Sequence, residues 1–230
     1  MKLIQIPFSH NCIKVRVALA HKRLPYEVEN IPPRDRSRPL SASRQGLVPV
    51  LVDGERAIAD STAILLYLEE RHPDPPLLPR DPAERARCLV LEDWADRAFM
   101  ESSRRIAYGT IFRQPGKLAS MFFPGERGLK ASLKERAAKR VVRKRFHISE
   151  ARHLKDLAEV RRAAALALDL LGGRPWLMNA GPTVADIALA TMSAPLRVSS
   201  EVRDDPAVRA LLAWGSKLLP PDVTSAYTQP

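Results

Sequence analysis

Five prolines fall within residues 72–82, which read His-Pro-Asp-Pro-Pro-Leu-Leu-Pro-Arg-Asp-Pro. Each proline fixes its own φ and removes a backbone donor, so neither a helix nor a central strand can run through the stretch. A chain of 230 residues is thereby divided into two parts. Before the prolines, strand and helix signals alternate. After them, only helical spacing is found.

In the first part, Leu3 to Ile6 reads as a strand and Asn11 to His21 as a helix with Ile13, Val17 and Ala20 on one face. Pro25 to Glu29 alternates with period two and reads as a second strand. Pro32 to Arg44 is polar, with room for one irregular helix. Val48 to Asp53 reads as a strand, Asp53-Gly54 as a tight hairpin turn, and Arg56 to Ile58 as its return strand. Asp60-Ser61 then starts a helix that ends near Arg71. Beyond the prolines, helices are expected over about 82–107, 127–147, 149–171, 183–194 and 206–219.

Three places carry chemistry. Ser9-His10-Asn11-Cys12 puts a hydroxyl and a thiol at a strand-to-helix turn. Free N–H groups and the positive end of the helix dipole there favour a thiolate, on the protein or on a small thiol beside it. Val48-Pro49 sets a proline at the start of a strand; an ordinary edge proline and a cis bond both meet that constraint. Asp60-Ser61 is an N-cap, and equally an anion site whose acid could hold a ligand ammonium. An α-amino acid group would satisfy both charges. Thr183-Val-Ala-Asp186 fits a capping box with Asp in the usual Glu position, a structural feature.

The two cysteines, Cys12 and Cys88, lie far apart, so no disulfide framework is expected, which fits a reducing compartment. The five histidines show no zinc-type spacing, although His147 and His153 could share a helix face. No metal is expected. The N-terminal apolar stretch is too short for a signal peptide, and the run Ala163–Leu168 ends at Asp169, so a soluble cytoplasmic protein is expected.

The formal net charge of +11 is concentrated rather than spread. Residues 127–145 hold nine basic side chains and one acidic one. Leu129, Leu133, Ala137 and Val141 recur there at four-residue spacing, giving an amphipathic helix with a wide basic face. It reads as a solvated face, as a wall for an acidic second substrate, or as a contact for an anionic membrane or nucleic acid. No aromatics interleave with the basic residues, and no nucleic-acid motif is found.

The order of these signals resembles the cytosolic glutathione transferase family: strand, Ser-x-x-Cys turn, helix, Gly46-Leu-Val-Pro-Val-Leu51, acidic-Ser helix start, proline linker, and helices with a Thr-x-x-Asp box. The resemblance implies an α/β thioredoxin-like glutathione-binding domain (βαβ-ββα) at 1–75. A proline-rich linker at 76–82 and an all-helical bundle domain at 83–230 would follow. It implies glutathione as co-substrate and a mostly apolar electrophile. Ser9 would donate to the glutathione thiolate, and Cys12 matches the second cysteine of the ancestral Cys-x-x-Cys turn. Val48 would pair its backbone with the cysteinyl unit ahead of a cis Pro49, and Asp60 and Ser61 would hold the γ-glutamyl end. A homodimer and a detoxification role are implied as well. Two positions depart from the family pattern. The Asn-Pro that commonly precedes Gly-x-Val-Pro is replaced by Ser43-Arg44, and His10 stands where proline is frequent. Two alternatives differ in kind. One is a non-catalytic module resembling the stringent starvation regulators and the γ subunit of eukaryotic elongation factor one. The other is a glutathione-dependent thiol oxidoreductase acting through Cys12.

Overall fold

The computed structural model describes residues 1–178 and 181–223. The last residues of the expected helical region, 224–230, lie outside the described residues. The chain runs β1 (Lys2–Gln5), α1 (His10–His21), β2 (Glu27–Asn30), α2 (Ser37–Ser43), β3 (Val50–Asp53), β4 (Arg56–Ala59) and α3 (Ser61–Arg71). After the proline segment come α4 (Pro82–Arg113), α5 (Lys117–Phe122), α6 (Gly128–Arg145), α7 (Glu150–Leu171) and α8 (Val184–Ser193). A 3-10 turn over Ala194–Val198, then α9 (Ser200–Arg203) and α10 (Pro206–Gly215), complete it. The expected architecture is present: a thioredoxin-like mixed sheet with helices, followed by a helical region.

The sheet order is β2-β1-β3-β4, with β1 and β2 parallel and the other pairs antiparallel. The Asp53-Gly54 turn joins β3 to β4, and Gly54 has a φ of +58°, the left-handed conformation that favours glycine. Register decides what the sheet can build. Ile4 pairs with Val50, and Val50 with Ala59. The end of β1, the start of β3 and the end of β4 are therefore level. On the other side of β1, Ile4 is level with Glu29 of β2. All four connecting loops leave one end of the sheet.

Local chemistry sets the helix starts. Asp81 accepts a bond from the Glu84 N–H at 2.9 Å, with Pro82 in the first turn of α4. Ser149 and Asp205 cap α7 and α10 in the same way. The proline segment is held by polar anchors. Glu69 accepts from the Leu77 and Leu78 N–H groups at 2.8 and 3.2 Å, and pairs with Lys22 at 2.8 Å. Lys22 also donates to the carbonyls of His72 and Pro75.

The two regions share one core. Leu3, Ile13, Leu19 and Leu65 belong to the same buried cluster as Phe99, Ile106, Val160 and the body of α8. Every residue of α8 is buried. Gly215 of α10 lies where an added Cβ would meet the Ala190 Cα and Cβ at 3.4 Å, so α10 comes close against α8. Lys14 of α1 is completely buried and bonds Thr62 of α3, Glu92, and both carboxylate oxygens of Asp96 at 3.1 and 3.0 Å. A buried ammonium is tolerated only with such partners, and it fixes α1 and α3 against α4.

The structure differs from expectation in four elements. The first helix of the second region continues to Arg113, six residues past the expected end. The short α5 and α9 were not expected, since each is too brief to show periodicity. In α6, the apolar stripe of the amphipathic helix faces outward: Leu129, Leu133 and Val141 are 77, 57 and 65% exposed. Polar anchors set the rotation of this helix instead. Glu135 accepts from the Gly116 N–H at 3.1 Å and pairs with Lys139, which donates to the Phe112 carbonyl at 3.0 Å.

At the start of α8, the buried Asp186 accepts from the Leu177 N–H (2.8 Å), the Thr183 N–H (2.9 Å) and the Thr183 hydroxyl (2.7 Å). Asp186→Ala leaves three buried donors without a partner and should lower unfolding stability by about 3 kcal/mol. A urea titration followed by circular dichroism checks it; an unchanged midpoint would show that the box carries no weight.

Candidate active site

The loops at the level end of the sheet meet α4 and α6 around a cleft of about 640 Å³. That volume is within the usual range for a small-molecule site. Ser9 and Val48 line it, together with His10 and Asn11 from the start of α1 and Pro33, Arg34 and Arg36 from the loop after β2. Met100, Arg104, Ala107, Tyr108 and Ile111 line it from one face of α4, at the three- and four-residue spacing of a helix.

Ser9 is the N-cap of α1, with extended backbone (φ −76°, ψ 119°) and no side-chain capping bond to the N–H groups of the helix it opens. The first turn of α1 holds no acidic residue, so the positive potential of the helix start is not neutralised there. The Asn11 Oδ1 beside it is buried without a hydrogen-bond partner, an acceptor facing a site able to supply a donor.

Cys12 does not line the cleft. It is fully buried under the helix, and burial pushes its thiol up to about 11, against the hydrogen bonds of the Ile6 backbone and the Ser9 hydroxyl. Of the two readings of Cys12, a thiol on the inner face of the first helix and a reactive one, this burial weighs against the reactive one, because desolvation outweighs the helix start. The protonated thiol instead touches Ser9. The Ser9 bond lowers the thiol's pKa, as donation from the hydroxyl to the sulfur does, but less than burial raises it.

The Val48-Pro49 bond is cis, and Val48 is half-buried while Pro49 is buried. Asp60 and Ser61 sit at the same end of the sheet but outside the cleft lining. Asp60 caps α3 through Ala63 N–H at 3.0 Å, with a φ of +77°. That conformation is strained for a residue other than glycine and is found most often at functional sites. Ser61 is buried.

The cationic side of the cleft joins Arg145, from the basic segment read as a wall for an acidic second substrate, to Arg36 and Arg104, which the sequence did not single out. Arg104 donates to His10 Nε2 at 3.1 Å. Burial, with the charges of Arg104 and Lys14, lowers the His10 pKa to about 3, so the ring is neutral at physiological pH and Nε2 is free to accept. Burial pushes the Tyr108 phenol up, opposed by the charges of Arg104, Arg145 and Arg36. The cleft lining is apolar along Phe8, Phe122 and Met121 and cationic along these arginines. The spacing of Met100, Arg104, Tyr108 and Ile111 on one helix face was the available signal. The end of the basic segment reaches the cleft through Val141, Val142 and Arg145.

Residues 3–76 match the family model of the glutathione S-transferase N-terminal domain. A glutathione S-transferase from Methylobacterium radiotolerans, solved in complex with glutathione sulfonate, superposes with a TM-score of 0.60 at 26% identity, covering 99% of this chain and 93% of that one. Residues 3–76 are thus those of a glutathione S-transferase N-terminal domain, and the whole chain has the glutathione S-transferase fold. Glutathione S-transferase Z1 of Arabidopsis thaliana is 48% identical over 77 residues, covering 32% of this chain and 35% of that protein. The stringent starvation protein A homolog of Coxiella burnetii is 36% identical over 104 residues, covering 45% and 48%. The chain thus spans between a third and a half of the length of those curated relatives. Among the described residues, no group of His, Cys, Asp and Glu is arranged to hold a metal, and no helix is long and apolar enough to cross a membrane.

Two outcomes follow from the burial of these groups. In the native protein, Cys12 should resist a disulfide reagent at pH 7 and form no adduct with oxidised glutathione, whereas denaturant should expose it; rapid native labelling would contradict the burial. The His10 ring resonances should not titrate between pH 5 and 8 in a proton–carbon NMR series, and a midpoint near 6.5 would place the ring in water.

Proposed function

We propose that this protein is a glutathione transferase whose glutathione lies across the level end of the sheet. The observation that carries the reading is that Ser9, at an acid-free helix start, shares one cleft with Val48 of the cis Val48-Pro49 loop. The γ-glutamyl end would bind at Asp60 and Ser61, where the strained helix start offers both an acid and N–H groups. The Ser9 hydroxyl donates to the sulfur, and together with the start of α1 favours the thiolate over the thiol. Ser9 does not act as a base. The thiolate attacks an electrophile held against α4 and α6. Work as a homodimer, a cytoplasmic location and a role in detoxification belong to the same proposal.

A second reading, a non-catalytic module, is favoured by one relative being a stringent starvation protein A homolog and by the outward basic face of α6. A glutathione column separates the two. Retention with elution by free glutathione supports the transferase. Flow-through, with salt-dependent binding to heparin, supports the module.

Replacing Ser9 by Ala should lower kcat/KM for conjugation by about a hundredfold, as for loss of one donor to a developing charge, with the fold intact by circular dichroism. Full activity in that variant, with Cys12 essential instead, would overturn the assignment.

A further inference from the structure

Three arginines converge on one side chain. Arg36 from the loop after β2, Arg104 from α4 and Arg145 from the end of α6 each act electrostatically on Tyr108. Their charges also oppose one another. Burial and the Arg145 charge lower the pKa of Arg36, and burial, with Arg145 and Arg105 adding, lowers that of Arg104. Among the described residues, no carboxylate lies within ion-pair distance of Arg36, Arg104 or Arg145. Glu101, the acid nearest Arg104 in effect, pairs with Arg105 at 2.8 Å instead. Elsewhere the chain neutralises its buried cations, as at Lys14 and Lys22. Like charges gathered in a half-buried cleft without a counter-ion are costly, and an anionic ligand relieves that cost.

The surrounding groups say what kind of anion. His10, held neutral, accepts from Arg104 and orients its guanidinium without adding charge or an acid of its own. Phe146 stacks on Tyr108, with centroids 5.6 Å apart and planes 10° apart, and the Arg104 and Arg145 guanidinium groups lie 4.7 and 5.6 Å from its centre. A second aromatic pair, Phe8 and Phe122, flanks the Ser9 side of the cleft at 6.0 Å. The ligand that fits has a flat apolar body and a carboxylate.

We propose that the second substrate of this protein is an aromatic carboxylate, its acid group bound by Arg104 and Arg145 beside Tyr108. The chemistry rests on the transferase reading, but the binding does not. With a chlorodinitrobenzoate as probe, the glutathione sulfur forms a bond to the chlorine-bearing ring carbon. The carbon–chlorine bond breaks and chloride leaves with its electron pair. The thiol proton passes to solvent.

The test compares that acid with its methyl ester in conjugation, and measures binding of unreactive dinitrobenzoate by calorimetry in the absence of glutathione. Arg104→Met and the more exposed Arg145→Met should each raise KM for the acid about tenfold or more, leave the ester and glutathione KM within about twofold, and weaken dinitrobenzoate binding to match. Because Arg145 is exposed, its variant keeps the test open if Arg104→Met does not fold. Equal effects on acid and ester, a rise in glutathione KM alone, or no binding of dinitrobenzoate to the wild type would each overturn the proposal. Binding of dinitrobenzoate that depends on both arginines, with no conjugation of either probe, would uphold the carboxylate site and remove the transferase reading.

Discussion

The level ends of β1, β3 and β4 are the constraint on which the site depends. Because Ile4, Val50 and Ala59 share one register row, three loops distant in sequence leave the sheet side by side. One carries Ser9, one the cis Val48-Pro49 bond, and one the Asp60-Ser61 helix start. A slip of one residue in either pairing would reverse which side chains face the core and separate these loops. The buried residues Leu3, Ile4, Val50 and Leu51 hold the register in place. The cleft needs a second wall, and the Lys14 network provides it by fixing α1 and α3 to α4.

The chain uses positive charge in two ways. Lys14 and Lys22 are buried and fully partnered, so their charge is spent on structure. The start of α1 and the arginines around Tyr108 are left without acids. The first of these potentials suits a thiolate and the second suits a carboxylate. His10 links them: it opens α1 and accepts from Arg104. One of the two positions where the sequence departs from the family pattern therefore joins the Ser9 side of the cleft to its cationic side.

Much of this was legible in the sequence because its signals are local. Strand periodicity, the Asp53-Gly54 turn, the Asp60 and Asp81 caps and the proline segment each declare themselves within a few residues. Ser9 and Val48 were singled out from the same kind of signal, and both line the cleft. What was missed depends on tertiary burial. Cys12 at a helix start reads either as a thiol on the inner face of the helix or as an activated one, and the packing beneath α1 favours the first, since desolvation raises its pKa. The Leu129, Leu133 and Val141 stripe reads as the apolar face of an amphipathic helix, yet Glu135 and Lys139 turn it outward. Arg36, Arg104 and Arg145 lie on three separate elements, and no sequence spacing reports that they meet.

The most direct test concerns the sulfur at Ser9. Ultraviolet difference titration of glutathione bound to the protein reports the thiolate as pH rises. A free thiol of this kind ionises near pH 8.5. Bound glutathione should ionise well below that value in the wild type and return towards it in Ser9→Ala. A bound thiol that titrates as it does in water, or a depressed value that Ser9→Ala leaves unchanged, would contradict a site organised by the start of α1.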